Sequence, residues 1–216
     1  MESQDRGYFS KYRELDTIGI MCYTDKCRYD HNYLDKYEFF LRNFKMDTFN
    51  LLELGVYKGA SERMWKKYFL YAQIFGVDIN EACKQYEEDR IKIIIADLSR
   101  EDSLQRLKDI QPAIIVDDAS HLWSHQIKAL FVLFEALPSG GIYIMEDLET
   151  SVNVDIMPGF SDCDISAYEV CSQIAEVVAS KRPCQLQHVF AEQITQVGMQ
   201  TEMISLLKGS CIVIKR

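Results

Sequence analysis

Acidic residues recur in this sequence where apolar runs end. Val116-Asp117-Asp118-Ala119-Ser120-His121 and Met145-Glu146-Asp147-Leu148-Glu149 each close such a run. If the two runs are neighbouring strands, three or four carboxylates crowd one small volume. Like charges at that separation cannot all stay ionised, so either their pKa values rise or a cation sits among them. Hard oxygen donors suit Mg²⁺ or Ca²⁺, and an incomplete set that leaves places for water and substrate suits Mg²⁺ best. The plainer alternative is that Asp117 and Asp147 cap helices and a single carboxylate faces the site. His121 follows Asp118 by three residues, close enough to set an imidazole beside that metal and to take the proton of a hydroxyl the metal has acidified. His125, four residues further on, lacks the H-E-x-x-H context of a zinc pair and reads as structural or solvent-facing. His188 has only a packing role.

A second constellation lies upstream, in Glu53-Leu54-Gly55-Val56-Tyr57-Lys58-Gly59-Ala60-Ser61. Gly55 and Gly59 let the chain turn sharply and let a ligand approach the backbone, while the next helix offers its N-terminus. The spacing is not G-x-G-x-x-G, the fingerprint a dinucleotide pyrophosphate requires, and an acidic residue two before the first glycine suits a ligand with a cationic amino-acid end. S-adenosylmethionine (SAM) therefore fits better than NAD. About 20 residues on, Asp78 ends another apolar run, where a carboxylate accepts hydrogen bonds from ribose hydroxyls of either nucleotide. Asp97 ends the next, within reach of an adenine amino group. Each aspartate alone can be a helix cap; three successive acidic strand ends point to the ligand-binding rim of an open α/β sheet.

The elements that must position these residues follow from periodicity. Strands are expected at 49–54, 74–79, 91–96, 113–116 and 141–145, and helices at 61–71, 81–90, 101–109 and 124–137. Their nearly continuous apolar runs are those of parallel strands buried on both faces. A helix at 165–180 and two short runs at 186–190 and 210–214 complete the pattern, the last two as antiparallel edge strands. The expected fold is a Rossmann-like α/β domain over residues 46–216, with a mostly parallel seven-stranded sheet, helices on both faces and an antiparallel C-terminal edge. Residues 1–45 read as a helical N-terminal cap.

Composition narrows the partners. With 24 Lys+Arg against 33 Asp+Glu, the net charge of -9 disfavours a general grip on nucleic acid or an anionic membrane. The seven cysteines include no Cys-x-x-Cys pair, so they read as thiols in a reducing cytoplasm. The N-terminus Met1-Glu2-Ser3-Gln4-Asp5-Arg6 opens charged, and no apolar run approaches the ~18 residues a bilayer requires.

Taken together, Glu53 to Ser61, Asp117-Asp118-Ala119-Ser120-His121, Glu146-Asp147-Leu148-Glu149-Thr150-Ser151 and Thr24-Asp25-Lys26 with His31 and Tyr33 resemble the metal-dependent macrolide sugar O-methyltransferases, of the mycinamicin and macrocin type, and the related cephalosporin hydroxylase-like proteins. The resemblance covers roughly residues 22 to 151. It implies a class I methyltransferase that binds SAM and Mg²⁺, with Asp118, Glu146 and Asp147 as metal ligands, His121 as general base assisted by Asp118, and Glu53, Gly55, Asp78 and Asp97 lining the SAM pocket. Tyr57, Gly59, Ser61 and Asp117 join that pocket, with Thr24 and Lys26. The implied acceptor is a saccharide or glycosylated metabolite, and a homo-oligomer is expected. Ala119 stands where relatives carry glycine in D-D-G-S-H, Glu149 where they often carry His or Gln, and the Tyr-Trp-Pro run expected after the Glu-Asp-Leu segment is missing. The auxiliary N-terminal domain of the mycinamicin type has no counterpart in these residues. Residues 152–184 are expected to form the acceptor wall. Three rivals are a nicotinamide oxidoreductase, which lacks its glycine fingerprint here, a hydroxylase-like enzyme, which lacks a 2-His-1-carboxylate triad, and a SAM-binding subunit without chemistry.

Overall fold

The computed structural model describes residues 13–216. The charged start Met1 to Arg6 and the first part of the expected N-terminal cap lie outside the described residues. The strands are β1 (Asn50–Leu54), β2 (Gln73–Asp78), β3 (Ile91–Ile95), β4 (Ile114–Asp117), β5 (Ile142–Met145), β6 (Thr201–Leu207) and β7 (Ser210–Lys215). The helices are α1 (Glu14–Cys22), α2 (Leu34–Leu41), α3 (Ala60–Tyr68), α4 (Glu101–Leu107), α5 (Trp123–Leu133), α6 (Glu149–Val152), α7 (Ala167–Ser180) and α8 (Ala191–Met199).

One seven-stranded sheet runs in the order β3-β2-β1-β4-β5-β7-β6. The first five strands are parallel, and β7 pairs antiparallel with both β5 and β6. The order reverses direction between β1 and β4, the place where an open α/β sheet forms a ligand crevice at its carboxyl edge.

Side-chain alternation sorts the core into two layers. Leu51, Ile74, Ile93, Ile114, Ile142 and Ile212 face one side, against Leu15 of α1, Tyr37 of α2 and Trp65 of α3. Leu52, Val77, Ile115, Tyr143 and Val213 face the other, against Leu104 of α4, Leu130 of α5, Ile174 of α7 and Ile194 of α8. Both faces are thus covered, as the continuous apolar runs require. The capping box of α7 is complete: Ser166 Oγ accepts from Glu169 N, and Glu169 accepts from Ser166 N at 2.8 Å.

Two expectations are corrected. Residues 186–190 are irregular, and the outer edge strand is β6, reached through α8. The apolar character of Leu186 and Phe190 comes instead from packing against the α5, α7 and α8 layer. The helix expected at 81–90 stops as a 3-10 segment at Glu81–Tyr86, and Arg90 takes a left-handed backbone at φ 61°. That turn sends the Arg90 guanidinium onto the carbonyls of Lys66, Phe69 and Ala72, capping the end of α3. Among the described residues no helix is long and apolar enough to cross a membrane, and the cysteines are free thiols.

Candidate active site

At the carboxyl edge the chain is stitched across the crevice. Gly55 N donates to Val77 O at 2.8 Å, and Asp118 N donates to Leu54 O at 2.9 Å. Gly55 has φ 95°, and a Cβ there would run into the backbone carbonyl of Asp118. Glycine is therefore required both by the turn and by the close approach of the two strand ends. Asp78 clasps the loop from the next strand: its Oδ2 accepts from Val56 N at 3.1 Å and Tyr57 N at 3.2 Å, and its Oδ1 from Asn80 N at 2.9 Å. Partial burial would raise the Asp78 pKa, but these backbone donors hold it below its usual value.

Two cavities meet over this loop, both lined by Gly55, Asp78 and Ala119. One, of about 230 Å³, runs past Ile79, Asp97, Leu98 and His125. The other, of about 460 Å³, runs past Thr24, Tyr57, Ser61 and Asp118. Asp97 is turned into its own loop, accepting from Ser99 N at 2.9 Å. His125 pairs its Nδ1 with Ser120 Oγ at 2.8 Å, which sets its ring in the cavity wall. A trough with a mixed apolar and acidic narrow end and a polar wide end fits an adenosine joined to an amino acid.

Beyond the wide end lie the carboxylates. β4 and β5 are neighbours, with Asp117 opposite Met145 in register, so Asp118, Glu146 and Asp147 emerge together. Asp118, His121 and Asp147 each offer one donor atom, all within 4.8 Å of one another, and so do His31, Asp147 and Glu149. His121 and Asp147 both have φ 56°. Left-handed backbone is uncommon outside glycine, although aspartate and histidine adopt it more readily than most side chains. His121 Nδ1 lies 3.3 Å from Asp147 Oδ2, outside hydrogen-bonding geometry, and Tyr33 Oη donates to Asp147 Oδ1 at 2.9 Å.

The cation among the carboxylates is Lys26. Its side chain is 1% exposed, and Nζ donates to Glu146 Oε2 at 2.6 Å and to Asp118 Oδ2, with Glu53 Oε1 at 3.9 Å. Burial would lower its pKa, but Asp118, Glu146 and Glu53 outweigh that and hold the ammonium charged. Glu53 and Glu62 are fully buried beneath the glycine loop, Glu53 accepting from Trp65 Nε1 at 3.1 Å. Burial raises both, Glu62 to about 7. Asp117 is likewise buried, raised to about 7 by desolvation, and accepts from Tyr143 Oη at 2.9 Å.

Of the residues singled out in the sequence, Gly55, Tyr57, Ser61, Asp78, Asp97 and Thr24 line the trough. Glu53, Asp117 and Lys26 do not; they are buried behind or beside it. Gly59 shapes the loop at φ 67°, where a Cβ would meet the Tyr86 side chain. Asp118, His121 and Asp147 cluster directly, and Glu146 lies one residue deeper, facing Lys26. Sequence reasoning did not place Tyr33 on Asp147 or Lys26 on Asp118. Their chain separations of 114 and 92 residues leave no local spacing signal; the family resemblance named both, Lys26 for the SAM pocket and Tyr33 beside that segment, without placing either on these carboxylates.

A divalent cation fits these residues: the donors are hard oxygens plus an imidazole, and Glu146 Oε1 and His121 Nδ1 are buried without a hydrogen-bond partner.

The fold has solved counterparts. MycE methyltransferase from the mycinamycin biosynthetic pathway, in complex with Mg, SAH and mycinamycin VI, superposes with TM-score 0.79 at 25% identity, over 93% of this chain and 54% of that one. The chain has the class I methyltransferase fold. Within that fold the trough over Gly55 occupies the sheet's switch point between β1 and β4. Among curated proteins, this methyltransferase-fold chain is 38% identical to 8-demethyl-8-alpha-L-rhamnosyl tetracenomycin-C 2'-O-methyltransferase of Streptomyces olivaceus, over 56% of the chain and 34% of the relative. It is 31% identical to mycinamicin VI 2''-O-methyltransferase of Micromonospora griseorubida, over 71% of the chain and 40% of the relative. The chain thus spans between a third and two fifths of the length of these relatives. No protein-family model matches it.

Proposed function

We propose that this protein transfers the methyl group of SAM to a hydroxyl of a saccharide or glycosylated metabolite, with Mg²⁺ held by Asp118, Glu146 and Asp147. The observation that carries the proposal is the convergence of Asp118, His121 and Asp147 at the open end of the trough over Gly55. The likeness to an O-methyltransferase of a rhamnosyl tetracenomycin and to mycinamicin VI 2''-O-methyltransferase supports the acceptor class.

SAM supplies an electrophilic methyl group, and a bound divalent cation supplies positive charge that acidifies the acceptor hydroxyl. Asp78 and Asp97 stand at the narrow part of the trough to hold the nucleoside. His121 Nδ1 lies 3.3 Å from Asp147 Oδ2 without hydrogen-bonding geometry, and the other ring nitrogen, Nε2, would take the acceptor proton. Asp147 is itself steadied by Tyr33, so the imidazole is oriented through two successive contacts. The Phe160 ring lies 6.1 Å from the His121 ring and offers an apolar side to the acceptor's approach.

The deciding experiment is ligand-dependent melting with SAM, NAD and Mg²⁺, separately and together, followed by methyl transfer to glycoside acceptors. A ligand at ~100 times its dissociation constant adds ~2.7 kcal/mol. SAM should stabilise the chain and NAD should not; the reverse would overturn the reading. Asp118→Ala should abolish the increment from Mg²⁺ while keeping that from SAM.

A further inference from the structure

Lys26 reaches the strand rim from outside the sheet. It belongs to the segment between α1 and α2, which is folded on itself by hydrogen bonds from His31 N to Asp25 O at 3.0 Å and from Tyr33 N to Lys26 O at 2.9 Å. From there the buried side chain reaches three strands at their carboxyl ends, at Glu53 near the end of β1, Asp118 just after β4 and Glu146 just after β5. An ammonium offers three donors and no acceptor. Asp118 and Glu146 therefore each commit one oxygen to Lys26. The second oxygen of Glu146 is buried with no hydrogen-bond partner, and Asp118 contributes one carboxylate oxygen to the group it forms with His121 and Asp147, beside which Glu146 lies deeper.

We propose that Lys26 is a positioning residue for the divalent cation: by holding one oxygen of Asp118 and one of Glu146, it limits each to single-oxygen coordination and aims what remains at the ion. This rests on the metal reading above. Two effects of the lysine oppose one another. As a charge, an ammonium this close repels a dication, so deleting it would tighten binding. As an orienting partner it fixes two ligands, and losing such a partner typically weakens metal binding by about 10–100-fold. Orientation dominates here because Lys26 is the donor that Glu146 Oε2 uses, in a place 1% exposed where water does not stand in for it. Without the ammonium, the carboxylate turns to re-pair that oxygen and the aim is lost.

The sign of the change in metal affinity therefore separates the two roles. Mn²⁺ binding is measured by electron paramagnetic resonance on the full chain and its Lys26→Met variant, with S-adenosylhomocysteine binding measured on both by calorimetry. The expected result is a Mn²⁺ dissociation constant raised about 10–100-fold, with unchanged affinity for S-adenosylhomocysteine. Unchanged or tighter Mn²⁺ binding overturns the proposal. A second measurement needs no variant: anomalous scattering from crystals of the native protein grown with Mn²⁺. The ion should lie beside Asp118 and Glu146 with Lys26 Nζ still bonded to both; a lysine swung away from either overturns the proposal whether or not the variant folds. A native chain that binds no Mn²⁺ brings down the metal reading itself, and the proposal with it, an outcome distinct from the other two.

Discussion

His121 and Asp147 face each other across the rim with Nδ1 3.3 Å from Oδ2, and both hold a left-handed backbone at φ 56°. The two residues come from different strand ends, and the left-handed turn at each brings its side chain toward the other. General-base catalysis by a positioned side chain contributes typically 10²–10⁴-fold. His121→Ala should lower methyl transfer by about that much and leave S-adenosylhomocysteine affinity unchanged in calorimetry. A variant that turns over at the native rate would remove His121 from the mechanism.

Tyr33 acts on the other oxygen of Asp147. Tyr33→Phe keeps the ring that stacks on Tyr37 and deletes only the donor. A hydrogen bond to a charged group contributes about 1.5–3 kcal/mol, so turnover should fall by roughly tenfold or more. Steady-state kinetics read this directly, and the melting temperature should fall by a few degrees because the same hydrogen bond is lost to the fold.

Gly55→Ala tests the trough. The added methyl meets the Asp118 carbonyl in a backbone conformation, φ 95°, that alanine rarely adopts. Binding of S-adenosylhomocysteine should be lost and the melting temperature should fall. Gly140, which also has positive φ but has no atom within 4 Å of an added Cβ, is the control: Gly140→Ala should bind normally.

Glu62 predicts a pH dependence. Burial raises its pKa from the ordinary 4.5 to about 7, so between those values the folded chain holds a proton that the unfolded chain releases. Stability from this group is thus greatest at low pH and falls as pH rises from about 4.5 to about 7. Glu62→Gln should flatten that part of the profile, and melting curves from pH 5 to 8 should show the variant gaining on the native protein from pH 5 up to about 7, with no further gain above that. A constant difference at every pH would contradict the assignment.

Much of this site was legible because a parallel sheet leaves little freedom. Once the apolar runs are strands, Gly55, Asp78, Asp97, Asp118 and Asp147 must share one edge, and they do. What misled was local: Leu186 and Phe190 are as apolar as a strand but pack singly against helices, while β6 alternates poorly along Thr201–Leu207, its pairing with β7 interrupted by a register shift between Thr201 and Met203. The charge argument required either a raised pKa or a cation among the carboxylates, and both occur. That the cation is Lys26 was beyond it, since Lys26 meets Glu146 only across 120 residues of chain.

The Lys26 contacts also bear on the order in which the protein can be assembled. Until the segment carrying Lys26 docks, the ends of β1, β4 and β5 present Glu53, Asp118 and Glu146 to one another with no positive charge between them. The like charges gathered at this corner of the sheet are relieved by a stretch of chain that lies outside it. The site is complete only with that segment in place.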